Sequence, residues 1–86
     1  MSNDVKAIYE TNYLGTKIVI WPRRIEFSTL GAGLKSIPIS QIAGVNMAMW
    51  GVMKITIETT GGQKYNIPCS KKKEVRDAIY KAQEML

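Results

Sequence analysis

Short strand-like runs, broken by glycine and proline and followed by one amphipathic stretch at the carboxyl end, restrict this chain more than any other feature of it. Runs of β-branched and aromatic residues suit a pleated surface. Each such strand must bury its apolar face against something, and seven strands ending in one helix satisfy that need most simply as a small antiparallel barrel whose open end the helix plugs. Barrels of this size more often bind than transform. The expected class is therefore mainly β with one C-terminal α-helix, as a single domain over residues 1–86.

The strands are read from alternation and from their punctuation. Lys6 to Tyr13 alternates partly and is expected to pair at a sheet edge before Gly15 breaks it. Lys17 to Trp21 and Arg24 to Ser28 form the first hairpin around Pro22-Arg23, with Ile25 and Phe27 inward and Arg24, Glu26 and Ser28 toward water. Thr29 to Ser36 carries two glycines and reads as a loop. Ser36 to Ser40 is a short strand whose internal Pro38 confines it to an edge or bulge. Val45 to Met49 resumes the alternation. Met53 to Thr59 and Gln63 to Ile67 flank Gly61-Gly62, whose positive φ suits a hairpin turn; Ile55, Ile57, Tyr65 and Ile67 are expected inside.

The closing helix is expected over Lys71 to Leu86, with Ser70 as its N-cap. Val75, Ala78, Ile79, Ala82, Met85 and Leu86 fall on one stripe, and Asp77 and Lys81 make an i,i+4 pair on the wet side.

Composition then removes classes of function. With no histidine and a single cysteine, neither a zinc-ligand set nor a histidine-activated nucleophile can be drawn. The acids lie singly, and Leu30-Gly-Ala-Gly-Leu34 lacks the Lys-Ser/Thr of a phosphate loop. No catalysis and no cofactor are expected. Cys69, between Ile67-Pro68 and the helix, reads as a small buried residue. A formal charge of +5 favours anionic partners without choosing among acidic proteins, lipid and nucleic acid. The opening Met-Ser-Asn-Asp is unlike a signal peptide and no apolar run is long enough to span a bilayer, so cytoplasmic residence is expected, with peripheral contact at the inner membrane face as the alternative.

The strand series, the Gly-rich middle, the segment Ile37-Pro-Ile-Ser-Gln-Ile-Ala-Gly-Val45, the Gly61-Gly62 hairpin and the final helix together resemble bacterial pleckstrin-homology-like domains, including GRAM-type relatives. The resemblance spans nearly the whole chain and is one of pattern. It implies a partly open, strongly bent sheet in two near-orthogonal halves, capped by the helix and free of catalytic chemistry. Phosphoinositide-binding relatives use a spaced set of lysines and arginines on their first strands. Here only Lys17 with Arg23 and Arg24 approximates it, with different spacing and at the far end of the hairpin, which makes protein binding or assembly the better expectation.

Three clusters are candidates for function. Lys71, Lys72 and Lys73, with Arg76, lie at the helix start, where the dipole disfavours cations. They read as an anion or partner site, or as a solvated first turn eased by Glu74 and Asp77. Met47, Met49, Trp50 and Met53 surround a turn at Gly51 and make either an exposed apolar patch for a partner or membrane, or core folded under the helix. Trp21 with Arg23 and Arg24 reads as hairpin-turn chemistry, a cation–π contact or a nucleic-acid footprint. The expected function is a non-catalytic module for protein–protein contacts, self-association by strand edges or by the Met47 to Met53 patch included. Peripheral binding to anionic membranes is the first alternative and nucleic-acid binding the second.

Overall fold

Successive side chains of a strand point to opposite faces, and in the first half of the chain this rule gathers Ile18, Ile20, Ile25, Phe27 and Ile37 on one buried side. The computed structural model describes residues 6–29, 31–47 and 51–86. Four antiparallel strands, β1 (Tyr9–Tyr13), β2 (Thr16–Ile20), β3 (Arg24–Thr29) and β4 (Gly33–Pro38), form one sheet in chain order. Leu14 and Gly15 link β1 to β2 with φ of 46° and 87°, so both centres of that turn are left-handed. Leucine is an expensive choice there, where asparagine or glycine would fit with less strain, and its side chain is 83% exposed.

A short 3-10 helix, Ile39–Gln41, carries the chain into a second antiparallel sheet of β5 (Ile42–Met47), β6 (Lys54–Thr59) and β7 (Lys64–Pro68), again in chain order. Val45 lies opposite Ile57, which lies opposite Tyr65; Met47, Ile55 and Ile67 form the next inward row. The outward side is polar, with Thr56 donating to Asn66 (2.7 Å) and Lys64 paired with Glu58 (3.8 Å).

Helix α1 (Lys72–Glu84) buries Val75, Ala78, Ile79 and Ala82 in the core the two sheets share. An edge-to-face contact between Phe27 and Tyr65, centroids 5.8 Å apart, ties the sheets together directly. Two side-chain hydrogen bonds fix the ends of α1. Lys72 Nζ donates to the Val52 carbonyl (2.6 Å) at its start, and Gln83 Nε2 donates to the Ile42 carbonyl (3.1 Å) at its end. Full burial of Val75 and Ile79 is worth about 1.5–3 kcal/mol each, against a few tenths lost to each lysine at the helix start. Packing rather than capping therefore holds the helix in place.

The strand count and the closing helix agree with the sequence reading; several details do not. The two sheets do not close into a barrel among the described residues. Most of the loop expected from Thr29 to Ser36 is strand, because Gly31 (φ 85°) and Gly33 (φ 79°) confine the reversal and let β4 start at Gly33. Pro38 ends β4 on a sheet edge instead of sitting inside a strand. β1 begins at Tyr9, and β5 begins earlier than expected, at Ile42, through a register shift between Ile42 and Gly44. Lys71, not Ser70, occupies the N-cap, and no side chain caps it. Met85 and Leu86 lie past the last helical residue and are exposed, so the buried stripe stops at Ala82. Asp77 Oδ1 accepts from its neighbour Arg76 rather than pairing with Lys81.

Candidate functional site

Two of the three candidate clusters, separate in sequence, meet at one end of the molecule. Met47 is the last residue of β5, opposite Ile55, so Met53, two residues back from Ile55, is its diagonal neighbour on the same face. Val45, one row deeper, is covered. Met47, Val52 and Met53 remain 40%, 45% and 43% exposed.

This apolar end is held against the start of α1 by backbone geometry. Cys69 N–H donates to the Met53 carbonyl (3.1 Å), extending the β6–β7 ladder by one pair. The Val52 carbonyl accepts from both Lys54 N–H (3.0 Å) and Lys72 Nζ (2.6 Å). Cys69 between them is fully buried, and burial pushes its thiol pKa up, so it packs there as an inert small residue. Lys71 and Lys73 are exposed beside this junction. Lys54 is exposed as well, and its register opposite Pro68 sets it next to the strand that leads into the helix. Lys54 was not among the sequence candidates; the hairpin register that sets it opposite Pro68 would have found it. Met49 and Trp50, the remaining members of the patch, lie outside the described residues.

Arg76 is engaged within its own helix. Its guanidinium donates to Asp77 Oδ1 (3.2 and 3.0 Å) and lies 5.9 Å from the ring centre of Tyr80. Of the four basic candidates at the helix start, Lys72 is committed to the junction, Arg76 to its own helix face, and Lys71 and Lys73 face outward.

The third cluster is satisfied internally. Trp21 N–H and the Arg24 carbonyl close the turn (2.8 Å), which brings the two side chains together over Glu26. Trp21 Nε1 donates to Glu26 Oε1 and Arg24 Nε to Glu26 Oε2, both at 2.9 Å, while the guanidinium carbon lies 5.0 Å from the indole centre. A cation–π contact, one of the readings open from the sequence, is present within the turn. Glu26, expected in water, is half-buried and accepts both bonds, and the Arg24 bond, with that from Trp21, holds its pKa below the ordinary value. On the same outward face Val19 is only 9% exposed. Arg23 and Arg24 are both exposed, Arg24 while bonded to Glu26.

Compared with protein-family models and with curated proteins, the sequence matches none. Among the described residues no group of three or more histidine, cysteine or acidic side chains is placed to hold a metal ion, and no helix is long and apolar enough to cross a membrane.

Proposed function

We propose that this chain is a non-catalytic, pleckstrin-homology-like binding module that works through protein–protein contacts at the end formed by the β5–β6 connection and the start of α1. Four and three antiparallel strands followed by a covering helix are the architecture that the resemblance implies, which supports the likeness. One observation carries the functional reading. Exposed Met47, Val52 and Met53 are pinned beside the outward Lys71 and Lys73 by the Cys69–Met53 and Lys72–Val52 hydrogen bonds, giving a preformed apolar surface with a basic margin. The partner that complements it presents apolar anchors next to aspartate or glutamate.

A second reading is favoured by the same margin: Lys54, Lys71 and Lys73 around an apolar end also suit an anionic bilayer. Nucleic acid is less well supported, because Arg24 and Trp21 are already engaged by Glu26.

Selection from a random displayed-peptide library tests the proposal. Wild-type protein should enrich peptides with apolar anchors flanked by acids, and the Met47→Ser/Met53→Ser double variant should lose them. Enrichment that ignores both substitutions overturns the placement of the surface. Absence of any enrichment, together with salt-sensitive pelleting on phosphatidylserine vesicles that disappears when Lys71 and Lys73 become glutamine, replaces it with the membrane reading.

A further inference from the structure

Among the described residues each sheet leaves two strand edges, and the four are not equivalent. An edge offers the backbone groups of alternate residues to a further strand, and natural sheets usually spoil that offer with proline, charge, bulges or a cover. In β4 the bond from Ile39 N–H to the Arg23 carbonyl (2.8 Å) sets the phase: Gly33, Lys35 and Ile37 bond inward, and Leu34, Ser36 and Pro38 face out. In β7 the Thr59–Gln63 and Cys69–Met53 bonds set it, so Lys64, Asn66 and Pro68 face out. Both edges thus end in a proline at an outward slot, where no N–H is available. β5 is irregular between Ile42 and Gly44, and its Ile42 carbonyl is taken by Gln83.

Between Tyr9 and Tyr13 strand β1 carries no proline and its register to β2 is regular; its one charge is Glu10, and the irregularity beside it lies at its start, where Ile8 N–H donates to the Ile20 carbonyl (2.7 Å). Its tight turn makes Tyr13 and Thr16 a hydrogen-bonded pair, so Tyr13, Thr11 and Tyr9 bond to β2 while Glu10 and Asn12 turn their N–H and carbonyl groups outward. The sequence of the edge, Tyr-Glu-Thr-Asn-Tyr, reads nearly the same in both directions.

We propose that β1 pairs antiparallel with β1 of a second copy of this chain, with Thr11 on the two-fold axis. That register sets Glu10 opposite Asn12 twice, the residues whose backbone groups turn away from β2 and meet no partner among the described residues. It sets Thr11 opposite Thr11 and Tyr9 opposite Tyr13, and threonine and aromatic pairs are the cross-strand combinations that favour sheet pairing. A two-fold axis normal to the sheet keeps the tyrosines on the inward side in both copies. The one charge on the strand is compensated within its own chain: Lys17 Nζ lies 3.2 Å from Glu10 Oε2. The result is a continuous eight-stranded sheet across two copies, formed from the four strands β1 to β4 of each. The contact is short, so the dimer is weak, roughly in the micromolar to millimolar range. This inference rests on the protein-contact reading only in kind, since it uses a surface remote in sequence from the methionine and lysine end.

Cysteine trapping and sedimentation test it. A non-hydrogen-bonded antiparallel pair has Cα atoms about 4.5 Å apart, within disulfide range. Thr11→Cys should therefore form a covalent dimer on mild oxidation, whereas Ser36→Cys, on the proline-ended β4 edge, should not; buried Cys69 is common to both. Asn12→Pro removes an outward donor from each copy without breaking a bond to β2, and should weaken dimerisation by roughly tenfold in sedimentation equilibrium. Equal trapping at the two positions, or a chain that stays monomeric up to about 1 mM, overturns the proposal. Peptide selection through Met47 and Met53 is unaffected by Asn12→Pro if both proposals hold, so the failure of one is visible without the other.

Discussion

Around Trp21 an aromatic ring, an arginine and a carboxylate satisfy one another, whereas at the start of α1 lysines and methionines face outward together. The two regions look alike in sequence, each a short mixture of basic and large apolar residues. What separates them is an acid at the right register. Glu26 lies two residues beyond Arg24 on the same face of β3, within reach of both the guanidinium and the indole N–H. At the helix start Asp77, one of the two acids expected to ease the lysines, is drawn to Arg76 instead, which leaves Glu74 as the acid of the first turn. A basic and aromatic pair with its own carboxylate is a structural clamp. The same residue types without one remain available to something outside the chain.

The largest effect is expected where the clamp is broken. Trp21→Ala removes a half-buried ring from the outward face, uncovers a flank of the first sheet and leaves Glu26 one donor short. It should cost about 2 kcal/mol in urea unfolding, with the m-value unchanged and peptide selection at the other end intact. If Trp21→Ala instead abolishes partner selection at full stability, the division between clamp and open surface is wrong.

A smaller effect follows from pH. Because Glu26 is held ionised by Arg24 and Trp21, its folded pKa lies below the unfolded value, so its contribution is fully present above the unfolded pKa and is lost as pH falls through the folded one. Glu26 is partly solvated, which limits the term to less than about 1 kcal/mol. Unfolding curves at pH 7, 5 and 3 should show wild type losing more stability than Glu26→Gln below pH 5. Parallel curves for the two proteins would mean that the clamp contributes no proton-linked stability.

Much of the fold was legible because it rests on period. Alternation in Arg24 to Ser28 and in Met53 to Ile67 placed Ile25, Phe27, Ile55, Ile57 and Ile67 inward, as found, although Glu26 is half-buried and Tyr65 only partly covered, and the helical spacing of Val75, Ala78, Ile79 and Ala82 marked the docking face. Endings were less legible. Apolar character at Met85 and Leu86 extended the stripe on paper, but the helix stops at Glu84 and leaves them exposed. Ser70 has the chemistry of an N-cap, yet the bond from Cys69 to Met53 keeps the chain in the β6–β7 ladder to that point, and the helix starts a residue later. The candidate site was legible only as two pieces. Nothing local in Met47 to Met53 points to Lys71; the two meet because the β6–β7 hairpin returns the chain to the level of Met53 before α1 begins. Likewise the spacing of Trp21, Arg24 and Glu26 is visible in sequence, but their mutual bonding depends on the turn that closes between Trp21 and Arg24.

The smallest effect is the most discriminating, because its sign differs between stability and binding. Lys71 occupies an N-cap position without any side-chain cap, and Lys73 lies in the first turn near the positive end of the helix dipole. Lys71→Ser supplies a capping hydroxyl, and Lys73→Gln removes an unfavourable charge; together they should stabilise the fold by roughly 0.5 kcal/mol, measured by urea unfolding at low ionic strength. The same double variant should weaken selected acidic peptides, with the loss shrinking as salt is raised. A chain that gains stability and loses binding keeps those lysines for a partner rather than for the helix. Gain in stability with binding unchanged would return Lys71 and Lys73 to the solvated first turn and leave the methionines to act alone.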